Sequence, residues 1–112
     1  MKKIILSLIF ISSLLAMSGN TLYEYGLEYV KAKNGLKSVP LKEGMFAGYI
    51  AGVNESIGFL GAYCMPKNTD GIAIMDIVFR YVENHPEKRN QVASFLVIDA
   101  LKEVYPCKKN NN

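Results

Sequence analysis

Cys64-Met65-Pro66 and Tyr105-Pro106-Cys107 enclose two apolar runs, residues 72–82 and 92–104, with Asn84-His85-Pro86-Glu87 between the runs. These are the only two cysteines among the 112 residues of the chain. An even number of cysteines in a small exported chain usually indicates a disulfide. We therefore predict one disulfide, Cys64–Cys107, which encloses two helices onto which the upstream chain packs.

The first residues have the pattern of a cleaved export signal. Lys2 and Lys3 precede an apolar run, and Ala16-Met17-Ser18 places small residues at the spacing that signal peptidase accepts. The run is shorter than the roughly 20 apolar residues of a membrane-spanning helix, so an uncleaved anchor is the less favoured alternative. We expect a signal peptide over residues 1–18, cleavage near Ser18–Gly19, one domain over residues 19–112, and no stable membrane anchor after cleavage.

The charge balance argues against a nucleic-acid partner. The whole chain carries a net charge of +3, but Lys2 and Lys3 lie in the predicted signal peptide, so the mature chain has eleven basic residues against ten acidic ones. Its arginines and lysines do not form a stripe interleaved with aromatic residues, as they do in nucleic-acid binders. We expect no nucleic acid to bind.

Two helices are predicted before the first cysteine. Thr21 can cap a helix that ends near Lys33, before Asn34-Gly35, and a second helix is expected over about residues 42–59 after a connector. In the first helix, the spacing of Glu28 and Lys31 favours an ion pair. The apolar residues of the first helix are Leu22, Tyr25, Leu27, Tyr29 and Val30, and those on one stripe of the second are Phe46, Tyr49, Ile50, Val53 and Ile57.

A second face of that helix carries small residues four positions apart: Gly44, Gly48, Gly52 and Ser56, which we call the glycine line. Each glycine inside a helix costs about 1 kcal/mol relative to alanine, so another backbone is expected to approach closely there. The favoured interpretation is packing against another helix of the same domain. The alternative is a contact between subunits.

Two more helices are predicted between the cysteines. Asn68 or Thr69 caps the third, with Asp70 in its first turn, and the caps and length favour a helix over a strand although the segment is rich in β-branched residues. Pro86 suits the first position of the fourth helix, and Pro106 ends that helix. The two stripes are Ile74, Met75, Val78, Tyr81 and Val82, and then Ala93, Leu96, Val97, Ala100, Leu101 and Val104. The predicted fold is all-α, with four helices in two hairpins and one disulfide.

The sequence contains no recognisable catalytic or metal-binding motif. Two cysteines and His85 do not form a zinc-ligand pattern, and the glycines have helical spacing, unlike those of a phosphate-binding loop. A cysteine nucleophile paired with His85 is a weaker interpretation than a structural disulfide. We therefore expect no enzymatic activity, metal or cofactor.

Several short motifs together resemble the Rap/Tai family of type VI secretion amidase immunity proteins. They are Gly48-Tyr49-Ile50-Ala51-Gly52-Val53-Asn54, Tyr63-Cys64-Met65-Pro66, residues 81–87, Ala93, Ala100-Leu101 and Tyr105-Pro106-Cys107. The resemblance implies a small helical periplasmic protein, often a homodimer, that blocks the cleft of a peptidoglycan-cleaving amidase delivered by neighbouring bacteria. The family pattern has a further cysteine two residues before the Gly-Tyr pair, where this chain has Phe46.

Polar residues in the loops between helices are the candidate contacts with the amidase, because loops on a rigid scaffold commonly carry binding. One group follows the first cysteine, and the other lies at the turn between the third and fourth helices. The candidates are Lys67, Asn68, Asp70, Glu83, Asn84, His85 and Glu87. For each of them, helix capping or simple solvation is an equally good explanation.

Two other classes of protein remain open. One is a small periplasmic chaperone of the acid-stress kind, or another protein-binding module, which would also be helical and disulfide-linked. The other is a small exported enzyme that uses Cys64 or Cys107 as a nucleophile. Free thiols in the mature protein would favour the enzyme.

Overall fold

The computed structural model describes residues 16–108. Except for its last three residues, the predicted signal peptide lies outside this range. The described chain is helical and confirms the all-α prediction. In order, its elements are α1 (Gly19–Lys33), α2 (Pro40–Val53), a π-helix (Asn54–Gly58), α3 (Gly71–Asn84), a 3-10 helix (Pro86–Lys88) and α4 (Ala93–Val104).

Helix α1 begins earlier than predicted. Its N-cap is Ser18, whose side-chain oxygen accepts a hydrogen bond from the backbone N–H of Thr21 at 3.2 Å, so the prediction that Thr21 is the cap was wrong. The predicted stop is confirmed, because Asn34 is the C-cap and Gly35 has a φ of 73°, a value that glycine adopts readily. The predicted ion pair also forms, with 3.0 Å between Lys31 Nζ and Glu28 Oε1.

Helix α2 begins at Pro40, two residues before the predicted start, with Val39 as its N-cap. Proline suits this position because its missing N–H would have no partner inside the helix. The other carboxylate oxygen of Glu28 accepts a hydrogen bond from the backbone N–H of Val39 at 2.9 Å, which ties the start of α2 to α1. Two hydrogen bonds lower the pKa of Glu28 below its usual value, and the one from Lys31 has a larger effect than the one from Val39.

The two faces of α2 have different surroundings. Phe46, Ile50 and Val53 are buried, as their spacing predicted. On the glycine line, a Cβ atom added to Gly44, Gly48 or Gly52 would meet no atom of another described element within 4 Å. The favoured prediction of packing within the domain is therefore wrong for residues 16–108.

Helices α3 and α4 form the second hairpin, and the choice of helix over strand for residues 72–82 is confirmed. Two details differ from the prediction. Asp70 is the N-cap of α3, in place of Asn68 or Thr69, and its side chain accepts a hydrogen bond from the N–H of Ile72. Pro86 begins the 3-10 helix, and α4 begins only at Ala93.

The core lies between the two hairpins, and it uses the predicted stripes. From α3 it takes Ile74, Val78, Tyr81 and Val82, and from α4 it takes Ala93, Leu96, Val97, Ala100 and Leu101. Val104, the last residue of the predicted α4 stripe, is 49% exposed because the helix ends there. At the position of the additional family cysteine, Phe46 is fully buried and stacks on Tyr29 of α1, with ring centroids 5.2 Å apart.

Candidate functional site

A loop held by the disulfide joins the first hairpin to the second. We call residues 59–70 the disulfide loop. Cys64 is bonded to Cys107, with 4.8 Å between their Cα atoms, and this confirms the predicted pairing. The backbone N–H of Cys64 also donates to the carbonyl oxygen of Tyr105 at 2.8 Å. One covalent bond and one hydrogen bond therefore fix the middle of the loop to the end of α4.

The start of the disulfide loop is also anchored to the preceding helix. Tyr63 is buried, and its hydroxyl donates to Asn54 Oδ1 at 2.6 Å, so the loop returns to the first residue of the π-helix. Burial raises the pKa of Tyr63 above its usual value. Gly61, with a φ of 84°, makes the reversal between the π-helix and Tyr63.

Two large apolar side chains project from this anchored segment. Phe59 is 89% exposed and Leu60 is 80% exposed. Exposed apolar side chains that lie together on a surface can mark a site of protein–protein interaction. The sequence prediction missed them because it treated Phe59 as the last residue of a helix. The signal available was the order Gly58-Phe59-Leu60-Gly61, in which two large apolar residues lie between glycines at the end of a helix.

The predicted polar contacts of this loop have different surroundings. Lys67 and Asn68 are exposed. Thr69 donates its hydroxyl to the carbonyl oxygen of Pro66 at 2.7 Å, which closes the turn that displays them. Asp70 is engaged in capping α3. The disulfide loop thus offers two apolar side chains and two polar ones, whereas Asp70 has a structural role.

The turn between α3 and α4 (residues 85–92) carries two of the remaining predicted contacts, and the other two lie in the last turn of α3. The charged side chains of the turn bind groups within the protein. His85 Nδ1 lies 3.0 Å from Glu87 Oε1, and the His85 ring lies 4.2 Å from that of Tyr81. Lys88 Nζ donates to the hydroxyl of Tyr81 at 3.0 Å. The hydrogen bond from His85 lowers the pKa of Glu87 below its usual value.

Arg89 fixes the same turn to the end of α3. Its Nε donates to the carbonyl oxygen of Val82 and one of its terminal nitrogens donates to that of Glu83, each at 2.8 Å. These carbonyls belong to the last turn of α3, whose acceptors have no partner inside the helix. The guanidinium carbon also lies 3.7 Å from the ring centroid of Tyr23 in α1. The turn is therefore a structural junction of three helices.

A shallow groove lies between the end of α3 and α4. Its volume is about 160 Å³, and it includes Asn84 and His85 of the predicted contacts. Its other lining residues are Ile77, Arg80, Tyr81, Ala100, Glu103 and Val104. Glu83 is exposed and lines a second groove beside the end of α1, with Lys33, Asp76 and Arg80 among its neighbours.

The structure does not bring all the predicted contacts into one patch. Asp70 and Asn84 lie at opposite ends of α3, which has 14 residues. At a rise of 1.5 Å per residue, these two positions are about 20 Å apart. The disulfide loop and the turn therefore offer separate surfaces.

The described residues contain no group of three or more histidine, cysteine or acidic side chains that could hold a metal ion. Both cysteines are in the disulfide, so neither is a free thiol in this structure. Over residues 16–108, no helix has the length and apolar character needed to cross a membrane. The described residues form a small helical domain with a covalently anchored loop.

Comparison with protein families identifies the family of this domain. The model of the Rap1a immunity proteins matches residues 18–107, which is most of the chain. The chain belongs to the Rap1a immunity protein family. Searches of curated proteins and of solved structures returned no match.

Proposed function

We propose that this protein is a periplasmic immunity protein that binds a peptidoglycan amidase delivered by type VI secretion and blocks its cleft. The observation that carries the proposal is the match of residues 18–107 to the Rap1a immunity proteins. The amidase and the periplasm come from the resemblance of the cysteine-flanked motifs to amidase immunity proteins. Protection would follow because the bound toxin cannot reach the cell wall.

We place the main contact with the amidase on the disulfide loop. Phe59 and Leu60 would supply the apolar centre of the interface, and Lys67 and Asn68 its polar rim. The loop is fixed before binding by the Cys64–Cys107 disulfide, so little conformational entropy is lost when the partner binds. The turn is the weaker candidate because His85, Glu87 and Arg89 are already engaged in contacts within the protein.

Steric exclusion is the simplest mechanism for such a surface. An enzyme that cleaves peptidoglycan must admit a stem peptide into an open cleft, and a rigid loop that fills the cleft excludes it. No chemistry by the immunity protein is needed. An oxidising compartment suits this role, because the disulfide that holds the loop persists there.

The glycine line is our proposed contact between two copies of the chain. Gly48 and Gly52 line a groove of about 340 Å³ with Tyr49, Val53 and Ser56, and an added Cβ at either glycine meets no other described element within 4 Å. Gly48→Leu should therefore fold normally, because the side chain has space within one subunit. Size-exclusion chromatography with light scattering should show dimers of the wild type and monomers of the variant. Unfolding of Gly48→Leu would contradict this placement.

Co-expression with a candidate type VI amidase tests the immunity function. The amidase is sent to the periplasm of a sensitive strain, and survival is measured with the wild-type protein, with none, and with two double variants. Phe59→Ser with Leu60→Ser should abolish protection, because truncating the apolar centre of an interface costs about 2 kcal/mol or more of binding free energy, which is roughly 30-fold in Kd. Glu83→Ala with Glu87→Ala is the matched control and should still protect.

The outcomes distinguish a wrong immunity function from a wrong choice of contact surface. If the wild type neither protects nor binds the amidase, the immunity proposal is wrong and a chaperone or another binding role gains support. If the wild type protects but the Glu83–Glu87 variant does not, the function stands and the contact lies at the end of α3 and on the turn. Circular dichroism and an intact mass two hydrogen atoms below that of the reduced chain confirm that each variant is folded and oxidised.

A further inference from the structure

The residues just before α1 form part of the folded domain. The carbonyl oxygen of Met17 accepts a hydrogen bond from the N–H of Ala93 at 2.8 Å, and Ser18 pairs with Val92 in an antiparallel bridge. Met17 is partly buried and packs against the core. These contacts connect the start of the domain to the start of α4.

Ser18 also completes the N-terminus of α1. Its side-chain oxygen accepts a hydrogen bond from the N–H of Thr21, and its carbonyl oxygen accepts one from the N–H of Leu22 at 3.0 Å. The N–H groups in the first turn of a helix have no partner inside the helix, so a cap of this kind stabilises it. A chain that began at Gly19 would lack both acceptors.

A chain that began at Gly19 would also place its α-amino group in an unfavourable position. Gly19 is buried, and its nitrogen lies 2.8 Å from the carbonyl oxygen of Gln91. An α-amino group has a pKa of about 7.7–8.0 and is mostly protonated at neutral pH. A positive charge at the N-terminus of a helix is opposed by the helix dipole, and burial removes its hydration.

We propose that the mature protein keeps Met17 and Ser18, so that signal peptidase cleaves no later than the bond between Ala16 and Met17. This inference rests on the proposed export to the periplasm. It moves the processing site upstream of the sequence-based expectation at Ser18–Gly19. Ala16 is a small residue that can occupy the last position before cleavage, and it is exposed.

The N-terminus of the exported protein tests the proposal directly. The full chain is expressed with its own leader, recovered from the periplasm by osmotic shock, and analysed by intact mass and N-terminal sequencing. We expect a first residue at Met17 or upstream of it. A first residue at Ser18, at Gly19 or further downstream would overturn the proposal and leave the export intact. Full-length chain found only in the cytosol would instead contradict the export itself.

A stability comparison provides the second arm. Two chains are exported with the same unrelated leader, one whose mature form starts at Met17 and one whose mature form starts at Gly19. The shorter chain should melt at least 4–8 °C lower, which is the shift expected when a domain of this size loses one helix cap. Ser18→Ala in the longer chain should lower the melting temperature by part of this difference. Ser18→Asp, which keeps a capping oxygen, should melt close to the wild type. Equal melting temperatures for the two chains would contradict a structural role for Met17 and Ser18.

Discussion

The disulfide loop and the α3–α4 turn both connect helices and both carry polar residues. They differ in whether their side chains bind groups within the protein or remain exposed. In the turn, His85, Glu87 and Arg89 bind groups of the protein itself. In the loop, the covalent bond at Cys64 supplies the rigidity, and Phe59 and Leu60 remain exposed. A fixed segment with unused apolar side chains is better suited to a partner than one whose polar groups already have partners.

Removing the disulfide should have the largest effect. Cys64→Ser with Cys107→Ser should lower the free energy of unfolding by about 2–4 kcal/mol, because the bond closes a long loop that constrains the unfolded chain. Urea unfolding followed by circular dichroism measures the change. Reduction of the wild type should reproduce it and should leave the double variant unaffected. A loss below 1 kcal/mol would mean that other contacts hold the loop.

Replacing Arg89 should have the next largest effect, and it should be on stability and not on amidase binding. Arg89→Ala should cost about 1.5–3 kcal/mol, because two charge-assisted hydrogen bonds to the end of α3 are lost. Arg80→Ala, at an exposed position, is the control and should change stability by less than about 0.5 kcal/mol. Equal effects of the two substitutions would show that the turn is not the junction described here.

Asp70 should behave as a cap. Asp70→Ala should lower the free energy of unfolding by about 1 kcal/mol, while Asp70→Ser should retain most of the stability. Lys67→Ala in the same loop should leave stability unchanged but weaken binding of the amidase. Thermal unfolding and titration calorimetry of the three variants separate the structural residue from the contact residue. A strong binding defect in Asp70→Ser at unchanged stability would place Asp70 in the interface.

The smallest effect concerns Glu87. Its folded-state pKa is below the usual 4.5, mainly because of the hydrogen bond from His85. A depressed carboxyl pKa contributes stability above the unfolded-state pKa, and this contribution is lost as the pH falls through the folded-state pKa. NMR titration of the Glu87 carboxyl should therefore give a value below 4.5 that rises in His85→Ala. An unchanged value would show that the contact is absent in solution.

The sequence predicted the parts of the fold that depend on local periodicity and covalent chemistry. The buried stripe from Ala93 to Leu101 has helical spacing, and Cys64 and Cys107 were the only available pair. The N-caps of α1 and α3 lie one to three residues from their predicted positions, because Ser18 and Asp70 are as suitable by residue type as Thr21 and Asn68. Local sequence alone cannot rank such neighbours. Helix α4 begins seven residues after the predicted start at Pro86.

The candidate site was less predictable, because it depends on contacts between distant segments. The position of Arg89 against the carbonyls of Val82 and Glu83 follows from how the chain turns after α3. The exposure of Phe59 and Leu60 depends on where the π-helix ends relative to the core. By residue type, the polar residues near the α3–α4 turn were good candidates: Glu83, Asn84, His85 and Glu87. The contact between His85 and Glu87 was not visible in the sequence.

Hydrogen–deuterium exchange of the protein with and without the amidase locates the surface that binds the toxin. Peptides that cover residues 59–70 and residues 85–92 are compared in the free and bound states, at saturating amidase. We predict slower exchange in residues 59–70 on binding and unchanged exchange in residues 85–92. Slower exchange confined to residues 85–92 would contradict the claim that the disulfide loop is the surface that binds the toxin.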